Sequence, residues 1–464
     1  MRWTAAVLAL GVATTAQAQD DLPRLMAEPT SFTDAIDSFD EGDPFDATLG
    51  VGFRRRRTAG TIQRQPGAAP GSGRGSANWT DIGDWEHTRN ELVINAQVGI
   101  FRDVMLYGEL PLILSDSREI LYPGSTSTGD VDLRLQESLV GGGDPQLFYM
   151  PFQSPTRSGL DTLTVGLAFD ILNQFRRPAF PTWMMLFEFQ LGVGELIQPC
   201  ERNGLLRDPQ TGVPTSTEPV DCETGLSRGT HAIRFESRVS RRYRYAEAYS
   251  GLLFHFEWAG RADSKFTPSG NLSGFRNTRP PIRGSLTAGV AFIPWENREA
   301  WQRFTVDVRV HGTYVSEGRD YSPLFDALGS SQHPTLTIDN LEGNPGTGRP
   351  GSLRRVPFTG LTDVQAHGEL GGQLAIEMRA ARYVRFRFGV DLQYITPHVL
   401  TFSDGCNPGP SPSGPDDSRA CDPARPDDGL INPHHRPVID RTGNRFRLDG
   451  ALDLTLFVGA AAQF

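Results

Sequence analysis

Beyond residue 18 the chain has no long hydrophobic run; a charge or a glycine breaks every apolar stretch within a few residues. A helix crossing a bilayer needs roughly 20 consecutive apolar residues, so a helical membrane protein is excluded. Lysine is nearly missing, Lys265 standing alone among the cations, the rest of which are arginine. There is no CxxC or Cys–His spacing for zinc, no Gly-rich phosphate loop, no nucleophile elbow and no HExxH. A formal net charge of −10 leaves no basic surface for a nucleic-acid partner. No metal and no cofactor is expected.

Cysteine is scarce but paired. Cys200 lies near Cys222 and Cys406 near Cys421, each pair bracketing a segment rich in Pro, Gly, Asn and Asp. The first residues read as an export signal: Arg2 is its positive end, Ala5 to Ala13 its apolar core, and Ala16-Gln17-Ala18 a small-x-small cleavage site, so residues 1–18 are a signal peptide and Gln19 starts the mature chain. An even cysteine count behind such a signal implies disulfides in an oxidising compartment. Residues 19–44 carry Asp34, Asp37, Asp40, Glu41 and Asp43, with Asp46 just beyond, in a spacing unlike a calcium loop; they are expected to form a solvated periplasmic arm.

From residue 45 to 464 the pattern has a period of two, the mark of strands with one apolar and one polar face. Val384, Phe386, Phe388, Val390 and Leu392 oppose Arg385, Arg387, Asp391 and Gln393. Phe446, Leu448, Leu452, Leu454, Leu456, Val458 and Phe464 oppose Arg445, Arg447, Asp449 and Asp453. A helix would scatter these charges around its circumference. Twelve such segments are expected, at about 45–54, 90–101, 103–114, 161–172, 183–194, 231–241, 246–258, 284–293, 303–315, 361–379, 382–398 and 444–464. Their connections alternate short and long, the habit of an outer-membrane barrel with tight periplasmic turns and long outer loops. Both cysteine pairs fall in long connections. The segments at 361–379 and 382–398 are the longest and are expected to project outward as a tall hairpin, and Phe325 to Gly329 to form one helical turn.

The polar face is dense in Arg, Glu, Asp, His and Gln, unlike the Lys, Thr and Ser of a soluble sandwich. Trp183, Tyr243, Tyr245, Trp258, Trp295, Trp301 and Tyr383 gather near strand ends, as interfacial girdles do. The expected fold is therefore an all-β, closed antiparallel transmembrane barrel of about twelve strands in the outer membrane of a Gram-negative cell, with no transmembrane helix, because backbone groups in lipid must all be paired.

The C-terminal strand, with alternating apolar residues and a terminal Phe464, resembles the assembly signal of bacterial outer-membrane proteins. The run VGIFRDVMLYGELPLIL from Val98 to Leu114 resembles a hairpin of transporter-type barrels, including the phenol-degradation-associated group. RSGLDTLTVGL at 157–167, with PTW at 181–183, is similar to segments of that group and of myxobacterial barrels. The resemblance implies a barrel recognised by the barrel-assembly machinery through Phe464, with transport as the activity. An outer-membrane phospholipase of this size uses a His–Ser pair two positions apart, and no His-x-Ser occurs here.

Parity assigns to the lumen Glu91, Gln97, Glu109, Asp170, Glu188, Arg234, Glu236, Arg238, Glu247, His255, Asp307, Arg309, His311, His367, Glu369, Arg385, Arg387, Asp391, Arg447, Asp449 and Asp453. His311 and His367, with Asp307, Arg309 and Glu369, form the best candidate cluster for a metal or a proton relay, against the plainer alternative of an ion-pair network bracing the wall. His434 and His435 are expected in solvent. Arg54 to Arg57 are expected at the outer rim, facing lipopolysaccharide or water. The expected function is a channel or passive transporter for small solutes, and not an enzyme. The alternatives are a closed structural or adhesive barrel presenting its outer loops to a partner, and an outer-membrane hydrolase.

Overall fold

The structure is a computed structural model describing residues 29–36, 46–65, 78–136, 145–208, 212–222, 225–261, 263–266, 279–297, 299–333, 336, 358–403 and 434–463. The expected signal peptide, Cys406, Cys421, Phe464 and the remainder of the acidic arm lie outside the described residues.

Twelve long strands form the wall: β1 Ala47–Arg64, β2 Thr80–Phe101, β3 Val104–Leu121, β4 Thr162–Leu172, β5 Thr182–Gly192, β6 Thr230–Tyr243, β7 Ala246–Ala259, β8 Arg283–Asn297, β9 Gln302–Val315, β10 His367–Ala381, β11 Val384–Ile395 and β12 Phe446–Gln463. Each pairs antiparallel with its sequence neighbours. The last closes on the first from Thr48↔Gln463 to Arg64↔Phe446, so the sheet has no free margin. Every expected segment has become a wall strand.

Alternation explains the closure. Leu49, Val51 and Phe53 on β1, Leu452, Leu454, Leu456 and Val458 on β12, and Phe386, Phe388 and Leu392 on β11 all face outward and are exposed. In water so continuous an apolar surface would be unsustainable; in lipid it is the solvent-matched face of a spanning barrel. Aromatic rings mark its edges. Tyr243, Tyr245, Trp295 and Tyr383 are exposed at the short-turn end, where Arg244 lies over Tyr245 and Arg382 over both Trp301 and Tyr383. Tyr314 and Tyr394 are exposed at the other end. Three tight turns carry a left-handed residue, Asp103 (φ 56), Arg244 (φ 52) and Trp301 (φ 55).

The height of the wall departs from expectation. The tall side is β1, β2, β3 and β12, of 18, 22, 18 and 18 residues. β10 and β11 have 15 and 12. Thr362–Val364 leaves the wall to pair with Gly318–Asp320, and His398–Val399 pairs separately with β12. The expected long hairpin is thus cut at both ends by breaks at Gln365-Ala366 and Thr396-Pro397, while charged residues had hidden the outer halves of β1 and β2.

The long loops fold into the mouth they surround. α1 Thr128–Gln136, α2 Phe325–Gly329 and α3 Pro437–Asp440 bring Val131, Leu135, Leu324, Leu328, Val438 and Ile439 against Ile62, Ile120, Phe446 and Leu448 of the wall. This apolar cap is pinned by Arg157 and Asp326, both fully buried, at 2.5 Å. The Cys200–Cys222 disulfide ties the base of a small hairpin, Leu205–Arg207 with Pro214–Pro219, in the same loop layer.

Residues 29–36, expected in a solvated arm, lie inside the barrel. Phe32 stacks on Tyr249 at 4.2 Å, the Thr30 amide donates to Glu247 at 2.8 Å, and Asp34 pairs with Arg385 at 3.1 Å. Ile36 packs on Met105, Met184 and Leu186. The acidic composition suggested solvent, but the apolar Phe32 and Ile36 anchor the segment and Asp34 finds a lumenal cation.

Candidate functional site: the lumen

The lumen is a lattice of charges held on alternating positions. On β6, Arg234, Glu236 and Arg238 point inward in succession. Glu236 takes Arg234 at 3.2 Å and Arg238 at 2.8 Å, while Glu188 of β5 takes Arg234 at 3.3 Å and the Tyr107 hydroxyl at 2.8 Å. Glu91 is buried between Arg54 at 2.7 Å and Arg89 at 3.2 Å. Asp453 accepts from Arg56 at 2.5 Å and Thr58 at 2.6 Å. Asp307 binds Arg309 at 3.1 Å and the Tyr249 hydroxyl. Glu247 is fully buried beneath Thr30 and Thr33. Asp170 accepts from Asn173 at the short-turn end, and His255 lines a smaller recess of about 170 Å³ with Asp161 and Arg283. Ion pairs in a low-dielectric lumen brace the wall because each partner compensates the other's desolvation.

Two expected lumenal residues face the other way. Gly450 has φ 79, and the β1–β12 register skips between Gly60↔Ala451 and Ile62↔Leu448. This bulge inserts one residue and inverts the faces above it. Phe446 and Leu448 therefore enter the buried cap, while Arg447 reaches Gln63 at 2.6 Å and lies over Trp79, with Asp449 exposed beside it. Parity also divides the basic run: Arg54 and Arg56 point in, whereas Arg57 is outside, bidentate on Glu86 at 2.7 Å.

The expected histidine cluster does not assemble. His367 stands opposite Val315 and His311 opposite Gly371, four residues apart along the strands. His311 instead faces Asp391 of β11 at 3.7 Å. His367 stacks on His398 at 3.8 Å, its Nε2 lying 3.9 Å from Glu369, which accepts from Gln393. No group of three or more metal-ligating side chains occurs among the described residues. His434 is buried rather than solvated, and burial pushes its imidazole well down. His435 is half-buried, its Nδ1 on the Ser403 carbonyl at 3.0 Å. Asp440 of the cap is pushed up to about 7, first by burial, with the amide of Arg436 opposing and Asp363 adding to the rise.

Reading the sequence by parity missed a second feature. Four inward rings each lie over the glycine directly opposite on the next strand: Tyr107 over Gly166, Tyr249 over Gly289, His311 over Gly371 and Phe457 over Gly389. A Cβ at any of these glycines would collide with the ring. The signal was present as glycine inside strands, where close approach is its usual meaning. Gly50, Gly52, Gly459 and Ala461 leave further room at the β1–β12 seam. The outcome is a central cavity of about 530 Å³, bounded by β1–β3 and β10–β12 and reaching Ser31 and Asp34. Gln97, Glu109, Arg385, Arg387 and Asp391 line it.

The class defined by this geometry is a closed antiparallel barrel with an apolar outer surface and a charged lumen. No protein-family model matches the chain, and no curated protein matches it either. Among solved structures the chain is similar to an outer membrane channel from Pseudomonas putida F1, at 8% identity and a TM-score of 0.38 over 94% of this chain and 99% of that one. It is similar to a Pseudomonas aeruginosa FadL homologue at 9% identity and a TM-score of 0.31, over 90% of each chain. The outer membrane protease OmpT from Escherichia coli gives 5% identity and a TM-score of 0.26, over 90% of this chain and 96% of that one. The fold itself rests on the closed strand register.

Proposed function

We propose that this protein is an outer-membrane channel for small polar solutes, its lumen narrowed to a central chamber by the loop cap on one side and residues 29–36 on the other. The observation that carries this reading is the cavity of about 530 Å³ inside the barrel, lined by charged residues that strand alternation turns inward, among them Arg54, Glu109, Arg385, Arg387 and Asp391. A barrel that only braced a membrane would gain more from filling its core than from holding such a space. In this reading the short turns face the periplasm, the loop layer faces outward, and the export signal and a C-terminal assembly signal deliver the chain. Outward Arg57, already paired with Glu86, and Arg55 would meet lipopolysaccharide at the rim. No step of bond chemistry is assigned to the lumen.

Planar-bilayer recording of the refolded full-length chain tests the proposal. Discrete current steps are expected. A silent membrane containing protein with the heat-modifiable mobility of a folded barrel would favour a closed structural barrel that displays its outer loops.

A further inference from the structure

We infer that the rim at the short-turn end is a binding surface for anionic phospholipid headgroups, the phosphodiester of a lipid such as phosphatidylglycerol being taken by arginines set beside exposed aromatic rings. The surface lies outside the lumen, so it stands or falls apart from the channel proposed above.

The tight turns depart from ordinary turn chemistry. Three of them close on two residues: Arg102-Asp103 inside Phe101↔Val104, Arg244-Tyr245 inside Tyr243↔Ala246, and Arg382-Tyr383 inside Ala381↔Val384. Loops of that length favour Asn-Gly, Asp-Gly or a leading glycine, because their central residues enter left-handed backbone. None of these three contains glycine, all three open with arginine, and Arg244 itself takes φ 52. Arg102, Arg244 and Arg382 are exposed, so packing does not explain the choice. A local rule broken without a gain in packing points to function. Rings accompany these cations. Arg244 lies 5.2 Å over Tyr245, and Arg382 lies 5.5 Å over Trp301 of the neighbouring turn and 5.3 Å over Tyr383. On β6, Arg238 and Arg242 point inward, so Arg241 points toward lipid, 5.6 Å over Tyr243. Exposed Phe101, Phe175 and Phe180 stand beside Arg102 and Arg177 on the other half of the rim. Exposed rings at strand ends mark the headgroup level, and the arginines sit at that depth.

The acids at this end do not offset the arginines. Asp103 is held by Arg176 at 2.7 Å and Glu296 by Arg242 at 2.9 Å. Glu299 stands exposed in the β8–β9 turn. Arg102, Arg177, Arg241 and Arg244 make no ion pair among the described residues. A ring beneath a guanidinium leaves its positive charge uncompensated, and a phosphodiester answers that charge with paired N–H···O bonds. In a zwitterionic headgroup the phosphate brings its own ammonium group, which the arginines repel; in phosphatidylglycerol the negative charge is unaccompanied. Attraction of an anionic lipid surface for a basic side chain is about fivefold per residue and fades within a Debye length. At the opposite end the outward Arg57 is already bidentate on Glu86 at 2.7 Å. The preference therefore belongs to the short-turn rim.

Native mass spectrometry tests this on the folded full-length protein, released from detergent micelles that hold equal amounts of phosphatidylglycerol and phosphatidylcholine with matched acyl chains. Phosphatidylglycerol is expected to stay bound about tenfold more often than phosphatidylcholine. The combined variant R241Q/R244Q/R382Q should bring that ratio to within about twofold of one, since three cations are lost. R241K/R244K/R382K keeps the cations and should retain most of the preference, which separates loss of charge from loss of folding, as does heat-modifiable mobility of each variant. R57Q, at the loop end, should leave the ratio unchanged. Equal retention of the two lipids by the wild type overturns the inference, as does a preference that survives the triple glutamine variant or falls as far in R57Q. Displacement of bound phosphatidylglycerol by soluble glycerol 3-phosphate at the same concentration would also overturn it, by assigning the rim to free phosphate. Current steps in planar bilayers are a separate readout, so failure of the lipid preference leaves the channel reading as it was.

Discussion

At Gly450 a single backbone torsion reverses which face of β12 looks inward. Its φ of 79 lies where a side chain is strained, and a Cβ there would press on the Tyr394 hydroxyl. An L-residue in that region costs about 1–2 kcal/mol. The Gly450→Ala variant is expected to lose about that much stability, read as a lower urea midpoint by tryptophan fluorescence in detergent; an unchanged midpoint would show that the bulge tolerates a side chain. The same residue explains why Arg447 and Asp449 were misplaced by alternation. Counting by twos holds only while the strand stays regular, and nothing in Leu448-Asp449-Gly450-Ala451 announces an extra residue except the glycine itself. The histidines failed for a related reason. Their facing was legible, but their height along the barrel was not, because β9 and β10 are joined by the long connection 316–366 rather than a tight turn, and a long loop does not fix register.

Among the elements, the cap shows the largest gap between sequence and structure. One helical turn was legible at Phe325–Gly329 from its local composition. That it docks with α1 and α3 into one apolar core was not, since the residues that meet are separated by more than 100 positions and none is periodic. The cap also carries a pH dependence. Asp440 is raised from its ordinary 3.8 to about 7, so the folded cap holds a proton that the opened cap releases. Its stabilising contribution is present below about pH 4 and is lost as pH rises through about 7. Limited proteolysis should therefore find the outer loops of the wild type losing protection relative to Asp440→Asn between pH 5 and pH 8. A constant ratio of cleavage rates across that range would refute the assignment. The same linkage gives His398, lowered to about 4 chiefly by burial, the opposite sign, a contribution present at neutral pH and lost as pH falls, which is why the comparison is made against a variant at Asp440.

The whole molecule is a wall with two stoppers. One is the loop cap; the other is the segment around Phe32, whose ring stacks on Tyr249 and lies under the guanidinium groups of Arg238 and Arg309. Arg238 also donates to the Phe32 carbonyl at 3.0 Å. Removing residues 29–36 should enlarge the open cross-section at the short-turn end. The expected outcome is a several-fold larger unitary conductance in planar bilayers than the full-length chain shows, with the deletion still migrating as a folded barrel. Identical conductance would place the narrowest passage elsewhere, at the cap.

What the amino-acid sequence by itself determined is the wall: twelve segments, an apolar face for lipid and a charged face for the lumen, joined by alternating short and long connections. It did so because strand alternation and the demand for paired backbone in lipid are local rules, written every second residue. Only the tertiary structure decided the register at which β1 meets β12, that the Gly450 bulge turns Phe446 and Leu448 into the cap, and that residues 29–36 fold back into the lumen. Those outcomes depend on register, shear and the return of distant loops, quantities set by packing between segments far apart in the chain and absent from any one of them.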